Sequence, residues 1–153
     1  MTQAIPPGMT AVTPHLVCRN AAAAIEFYKQ AFGAVDCARL PAPDGRLMHA
    51  LITIGGAAVM LVDEFPEQGC QGPLALGGSA VTLHLYVADV DATVAQAVAA
   101  GATVTMPVAD MFWGDRYGRL LDPFGHHWSV ATHIRDLSPV QITEGFKSAC
   151  GGQ

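Results

Sequence analysis

The sequence predicts an α+β fold in which two βαβββ repeats form a curved mixed sheet around a cleft. A helix start at Asn20 and a helix end at Gly33 recur at Asp89 and Gly101, 69 and 68 residues further along. The same succession of strands and hairpin turns follows each predicted helix. A repeated period of this kind indicates one duplicated unit, and neither four-stranded sheet can bury its inner face alone.

The composition limits the class of protein. Hydrophobic residues make up 51% of the 153 positions and charged residues only 14%, which predicts a large core and a further apolar surface buried in an oligomer. The formal net charge is −5 and no basic run exists, so we expect no nucleic-acid partner. No apolar run approaches the length of a membrane span, and the first residues lack the pattern of a signal peptide.

The cysteines support a cytoplasmic location. All four are widely spaced and form no C-x-x-C pair, which predicts free thiols in a reducing compartment rather than disulfides or a zinc knuckle. They are Cys18, Cys37, Cys70 and Cys150.

We divide the chain into five segments around the repeat. They are an N-terminal lead (1–10), a first βαβββ module (11–65), a linker (66–79), a second βαβββ module (80–134) and a C-terminal tail (135–153).

The first module opens with a strand predicted at residues 11–18. Asn20 is a good N-cap, and the helix at 21–32 places Ile25, Tyr28 and Phe32 on one stripe before Gly33 ends it. Turn residues then separate three predicted strands. Their ranges are 35–40, 47–54 and 57–63.

The second module repeats this order. A strand at 81–87 precedes a helix at 90–100, a further strand opens at Ala102, and a loop is predicted at 107–112. The turn at 122–125, with its proline and glycine, joins the last two strands, the second of which covers 127–133. One weak helix is predicted in the tail at 140–147.

Residues 113–133 form the densest polar cluster of the chain. This stretch holds three of the six histidines and both tryptophans. The prediction that we favour is that the cluster faces a cavity, and the alternative is an amphipathic hairpin with one solvated face.

The chain resembles the vicinal oxygen chelate superfamily, which contains glyoxalases, bleomycin-resistance proteins and extradiol dioxygenases. Within it the chain is most similar to the PhnB-like, glyoxalase-like branch, over about residues 12–133. The resemblance implies the fold given above. It also implies a homodimer with halves paired across subunits, and the high apolar content agrees with an oligomer. Its motifs are Asn20, residues 24–28 and 32–33, residues 89–92, residues 113–116, residues 122–126 and residues 131–133.

The resemblance also implies one divalent metal ion in the cleft of the family's enzymes. Counting from the helix starts and the last turn places the four ligand positions on residues that are poor ligands for zinc, nickel or iron. The usual metal site is therefore absent as aligned, which favours a metal-free binder with no cofactor. The four positions are Thr13, Leu61, Thr82 and Ser129.

A displaced metal site is the alternative. Two residues further along the same strands lie His15, Asp63 and His84, which strict alternation places on the same face. Two imidazoles and a carboxylate could hold one divalent ion such as Zn, Ni, Mn or Fe. Otherwise the two histidines simply line the cleft.

Two functions follow as hypotheses. The first is a metal-free binder of an apolar or aromatic small molecule, held by Phe112, Trp113, Tyr117, Trp128 and Ser129. The second is a metal-dependent lyase, isomerase or dioxygenase of the glyoxalase type.

In the second hypothesis His49 or Glu64 would move the proton. The identity of the ligand stays open in both hypotheses. A thiol such as glutathione is not ruled out, although no basic pair stands out to receive its carboxylates.

Overall fold

The structure, a computed structural model, describes residues 1–151 and contains the two predicted βαβββ modules, which confirms the fold class. The last two positions of the predicted tail lie outside the described residues. The first module consists of β1 (His15–Cys18), α1 (Ala21–Phe32), β2 (Val35–Pro41), β3 (Leu47–Ile54) and β4 (Ala57–Asp63).

A linker with a 3-10 turn (Pro66–Gln68) and the short helix α2 (Pro73–Leu76) joins the modules. The second module consists of β5 (Thr82–Tyr86), α3 (Val90–Ala100), β6 (Thr103–Asp110), β7 (Asp115–Leu121) and β8 (His127–His133). The tail forms α4 (Pro139–Cys150). Within residues 1–151 no helix is both long and apolar enough to cross a membrane.

The largest differences from the predicted element boundaries are in two strands. β1 begins at His15, because it pairs with β4 only from that residue onward. β6 continues to Asp110 through the predicted loop, because Ala109 and Asp110 pair with β7 beyond an irregularity in the register. Tertiary pairing therefore decides where these strands begin and end.

Local chemistry explains why the helices lie where they were predicted. The Asn20 side chain accepts a hydrogen bond from the Ala23 amide at 3.1 Å, and Gly33 ends α1 with a φ of 68°. In the second module the Asp89 side chain accepts from the Ala92 amide at 3.0 Å. The repeat seen in the sequence is thus a repeat of helix caps.

Each module forms its own four-stranded mixed sheet, with the orders β1-β4-β3-β2 and β5-β8-β7-β6. In each sheet the first strand runs parallel to the last, and the other neighbours are antiparallel. Successive side chains of a strand alternate between two faces. One face of each sheet packs on the helices, and we call the opposite face its outer face.

The helix-side faces of both sheets contribute to one hydrophobic core. Ile25 and Tyr28 of α1 are fully buried, as are Leu61 of the first sheet and Val130 of the second. The helices α1 and α3 also contact each other, and Gln96 donates to the backbone carbonyl of Gln30 at 2.6 Å. The two modules are therefore joined through their helices.

A buried carboxylate connects the modules. Asp122, 4% exposed at the end of β7, accepts hydrogen bonds from the Tyr28 hydroxyl of α1 and from the Trp128 indole at 3.0 Å. It also accepts from the backbone amides of Phe124 and His126 at 2.9 and 3.0 Å. Four donors satisfy this charge, and one of them comes from the other module.

We predict that Tyr28→Phe lowers the free energy of unfolding by about 1–3 kcal/mol, since it removes a hydrogen bond to a buried charge. Urea unfolding followed by circular dichroism measures this change. The control is Tyr117→Phe, because Tyr117 contacts its neighbours through its ring; we expect a change within about 0.5 kcal/mol. Equal effects of the two substitutions would contradict the role given to the Tyr28 hydroxyl.

Candidate functional site

The outer face of the second sheet carries most of the polar and aromatic residues that the helices leave uncovered. Strand register places alternate residues of β5, β7 and β8 on it, since Leu83 and Leu85 between them pack on the core. The polar and aromatic residues of this face include Thr82, His84, Tyr86, Asp115, Tyr117, Arg119 and Ser129.

An imidazole stands at the centre of this face. His84 is exposed, and its Nδ1 lies 2.6 Å from the Oγ of Ser129, which is only 3% exposed. The ring lies edge-on to Tyr86 at 4.6 Å between centroids and stacks on Tyr117 at 6.0 Å. Because the buried hydroxyl holds Nδ1, Nε2 is the nitrogen available to a ligand.

An aromatic wall borders the imidazole. Trp113 lies edge-on to Tyr117, with ring centroids 5.4 Å apart, and Phe112 lies edge-on to Trp113 at 5.0 Å. Phe146 of α4 contacts Phe112 from the tail. These half-buried rings offer a planar molecule an apolar surface next to polar groups.

A tight turn positions Trp113 in this wall. Gly114 has a φ of 103°, and a Cβ at this position would lie 2.3 Å from the backbone oxygen of Arg135. Only glycine fits both constraints, and the Gly114 oxygen accepts from the amides of Ile134 and Arg135. The turn is therefore fixed against the end of β8.

The aromatic wall is anchored by Asp115, which is 4% exposed. Its carboxylate accepts from the Trp113 indole and the Tyr86 hydroxyl, each at 3.1 Å, and lies 2.7 Å from Nδ1 of His133. Burial raises the pKa of this carboxyl, but the three hydrogen bonds outweigh burial and the net shift of the pKa is downward.

His133 is held on both ring nitrogens. Its Nε2 lies 2.8 Å from Asp136, and the hydrogen bonds to Asp115 and then Asp136 raise the pKa of the imidazole. The charged pair is therefore present between the lowered pKa of Asp115 and the raised pKa of His133. The stabilisation that ionised Asp115 contributes is lost as the pH falls through the pKa of Asp115. The stabilisation that protonated His133 contributes is lost as the pH rises through the pKa of His133.

Arg119 is the cation of the outer face. It is half-buried on β7 beside Ser129, and its Nη2 donates to the Thr82 hydroxyl at 3.2 Å. No carboxylate within residues 1–151 forms a salt bridge with it. The neighbouring Arg116 points to the opposite side and pairs with Asp91 and Asp110.

Two histidines meet on the outer face of the first sheet. His15 and His49 lie edge-on, with ring centroids 6.3 Å apart. Burial and then the nearby His49 lower the pKa of His15. His49 thus lies beside a possible ligand surface, and its suggested role in proton transfer stays a prediction.

The structure does not bring the predicted metal triad together. Asp63 pairs with Cys18 in register and so lies on the helix side, opposite to His15, which corrects the expectation of a shared face. Its two oxygens accept from the amides of Ala21 and Leu47 at 2.8 and 2.6 Å. His84 belongs to the other sheet.

Residues 1–151 therefore contain no donor set for the metal ion that the resemblance implies. Among residues 1–151 no group of three His, Cys, Asp or Glu side chains could hold an ion. At the aligned ligand positions, Leu61 is fully buried in the core, and the Thr13 hydroxyl bonds to the carbonyl of Thr10. Thr82 and Ser129 lie on the outer face, bonded to Arg119 and His84.

Two other predicted site residues have structural contacts. Trp128 is 3% exposed and stacks on Phe32 at 4.8 Å in the core, so the structure corrects its assignment to the ligand wall. Glu64 lies 3.3 Å from Arg19 and accepts from the Gly72 amide at 3.1 Å, which fixes the linker. Phe112, Trp113, Tyr117 and Ser129, by contrast, do lie together.

A cavity of about 500 Å³ lies at the seam between the modules. It is bounded by β1, the linker and the start of β5, and its walls are mainly apolar. His15 borders it, and His126 does too, but Nε2 of His126 already bonds the Val17 carbonyl at 2.9 Å. The cavity thus offers volume with few polar groups left to orient a ligand.

Two βαβββ modules joined in one chain define the fold class of this protein. The sequence pattern of the Glyoxalase/Bleomycin resistance protein/Dioxygenase superfamily matches residues 9–130. The chain therefore belongs to this superfamily, which confirms the resemblance seen in the sequence.

Individual relatives agree with this assignment. An uncharacterised protein of Mycobacterium bovis is 48% identical over 146 residues, which are 93% of this chain and 95% of the relative. TioX from Micromonospora sp. ML1 has a TM-score of 0.64 at 28% identity, over 82% of this chain and 99% of TioX. The PhnB protein from Bacillus cereus, with 19% identity and a TM-score of 0.63 over 80% and 99% of the two chains, shares the fold.

Sequence reasoning missed four residues of the outer face. Asp115 is next to Arg116 in the sequence, but adjacent strand residues point to opposite faces, so the two do not pair. The alternation of Asp115, Tyr117 and Arg119 along β7 is the signal that could have found two of them. Tyr86 and His133 join the site only through the pairing of β5, β7 and β8.

We predict that Asp115→Asn lowers the pKa of His133 towards the ordinary histidine value of about 6.5, because the substitution removes the negative charge from the main acceptor of its Nδ1 proton. A pH titration of the imidazole Cε1–H signals by NMR measures this change. Asp136→Asn is the matched control and should lower the pKa less. An equal or larger effect of Asp136→Asn would contradict the ranking of the two carboxylates.

Proposed function

We propose that this protein is a metal-free binder of an aromatic or apolar small molecule, which lies on the outer face of the second sheet. The observation that carries the proposal is the wall formed by Trp113 and Tyr117 beside the exposed imidazole of His84. Ligand sites in proteins combine apolar walls with a few well-placed polar groups. The network of Asp115 holds this wall in place before a ligand arrives.

The outer face is a better candidate than the seam cavity. The cavity's volume of about 500 Å³ suits a small ligand, but its buried histidine is committed to the backbone. The outer face has free polar groups and stacked rings, but it is open to solvent. A second copy of the chain would shield a bound ligand from water.

We propose a homodimer for this reason. The outer faces expose apolar side chains, with Leu40 and Val35 of β2 at 57% and 60% and Tyr86 of β5 at 60% exposure. Single exposed apolar residues are ordinary, but several on the outer faces of both sheets favour an interface.

The four free cysteines favour a reducing compartment such as the cytoplasm.

We predict that the chain sediments at twice its mass of 16.0 kDa and that Leu40→Glu raises the dimer dissociation constant at least about tenfold. Burying a carboxylate against an apolar partner surface is the physical cause. Analytical ultracentrifugation measures it. The control is Val98→Glu on α3, which is 45% exposed and away from both outer faces. A monomeric wild-type chain would contradict the dimer.

The binding proposal is tested with 2-naphthamide, a neutral planar aromatic. We predict a saturable shift of the Trp113 indole N–H signal in ¹H–¹⁵N NMR spectra, because the probe stacks beside that ring. The buried Trp128 is the internal control. The variants Trp113→Phe and Trp128→Phe assign the two indole signals.

Each result has one meaning for the site. A shift of Trp113 alone, lost in Tyr117→Ala, supports the outer face. A shift of Trp128 alone points to the seam cavity, since Leu83 borders that cavity and pairs with Trp128 in register. No saturable shift of either signal would contradict the proposed aromatic site.

A further inference from the structure

We infer that the ligand of the outer face is an anion, and that Arg119 binds its carboxylate or a similar acidic group. This inference rests on the proposed function and specifies the class of ligand. Its basis is which of the arginine and lysine side chains form salt bridges with carboxylates. The side chains that pair with carboxylates are Arg19, Lys29, Arg39, Arg46 and Arg116.

Three cations of the described chain have no such partner, and they differ in location. Arg135 and Lys147 are exposed on the tail side of the molecule, where water solvates them. Arg119 is half-buried in the middle of a strand, and its one side-chain acceptor is the neutral hydroxyl of Thr82. A guanidinium without a carboxylate partner keeps donors available for a ligand that supplies an anion.

The surroundings of Arg119 provide no internal substitute. The nearest carboxylate on the same face of β7 is Asp115, four residues away and satisfied by three donors. Across the strand pairs, the neighbours of Arg119 are Ser129 on β8 and Met106 on β6. The guanidinium thus faces the ligand surface with donors to spare.

A second copy of the chain would not neutralise it either. On the outer face of the first sheet, strand register places His15, His49 and Leu40 together with further uncharged residues, whereas Asp63 lies on the helix side. If the two outer faces meet in a dimer, Arg119 meets imidazoles and apolar groups. The closed site would then be cationic in a chain whose net charge is −5.

The position of Arg119 also defines the shape of the ligand. Tyr117 lies two residues away on the same face, and His84 is bonded to Ser129, the direct neighbour of Arg119. A planar ring stacked on Tyr117 can therefore place an acidic group on the guanidinium, with Nε2 of His84 nearby. Bidentate binding of a carboxylate by arginine adds orientation as well as affinity.

The test compares two probes of the same shape, 2-naphthoate and 2-naphthamide, which differ in charge. We predict that wild-type protein binds 2-naphthoate about tenfold more tightly at low salt, as expected for a hydrogen-bonded ion pair. Arg119→Met should abolish the preference, so that 2-naphthoate binds no more tightly than 2-naphthamide. Arg119→Lys should keep part of it, and Arg135→Met, the control, should keep all of it.

The results separate this inference from the proposed function. If both probes shift the Trp113 signal with equal affinity, or if Arg135→Met removes the preference as strongly as Arg119→Met, the anionic subsite is overturned and the aromatic binder stands. If neither probe shifts Trp113, the proposed function fails, and the subsite fails with it. Circular dichroism and the unshifted Trp128 signal verify that each variant is folded.

Discussion

The buried carboxylate of Asp122 is the contact on which the arrangement of the two modules depends. It comes from the second module, yet the Tyr28 hydroxyl of the first module is one of its four donors. A charge in the core is tolerated only when it is fully hydrogen-bonded, so this contact requires α1 and the β7–β8 turn to lie together. Trp128, bonded to the same carboxylate, packs on α1 as a result.

This contact also decides which face of the second sheet stays open. With Leu120, Trp128 and Val130 turned towards the helices, strict alternation sends their neighbours to the outer face. The outer face therefore collects His84, Ser129 and Arg119 as a direct consequence of core packing. The residues of the proposed binding site and those of the core are therefore alternate residues of the same strands.

A second satisfied carboxylate organises the outer face itself. Asp115 fixes the Trp113 indole and the Tyr86 hydroxyl, and His133 supplies a compensating charge when it is protonated. Arg119, four residues further along β7, differs because no carboxylate within residues 1–151 forms a salt bridge with it. This contrast supports the proposed site in two ways. The paired Asp115 holds the aromatic wall in place, and the unpaired Arg119 is available to an acidic ligand beside that wall.

The sequence by itself determined the fold class and the helices of both modules. The caps at Asn20, Gly33 and Asp89 placed α1 and α3, because capping is a local property of a few neighbouring residues. The aromatic cluster of residues 112–117 was also visible, because its members are close in the chain.

Only the tertiary structure decided on which face of its sheet each strand residue lies. Counting along β1 and β4 put His15 and Asp63 on one face, but their parallel register pairs Asp63 with Cys18 and sends it into the core. Trp128 was expected in the ligand wall but lies in the core for the same kind of reason. The lack of a carboxylate partner of Arg119 within residues 1–151 is likewise visible only in the folded chain. Register between distant strands is set by packing, which a single sequence does not encode locally.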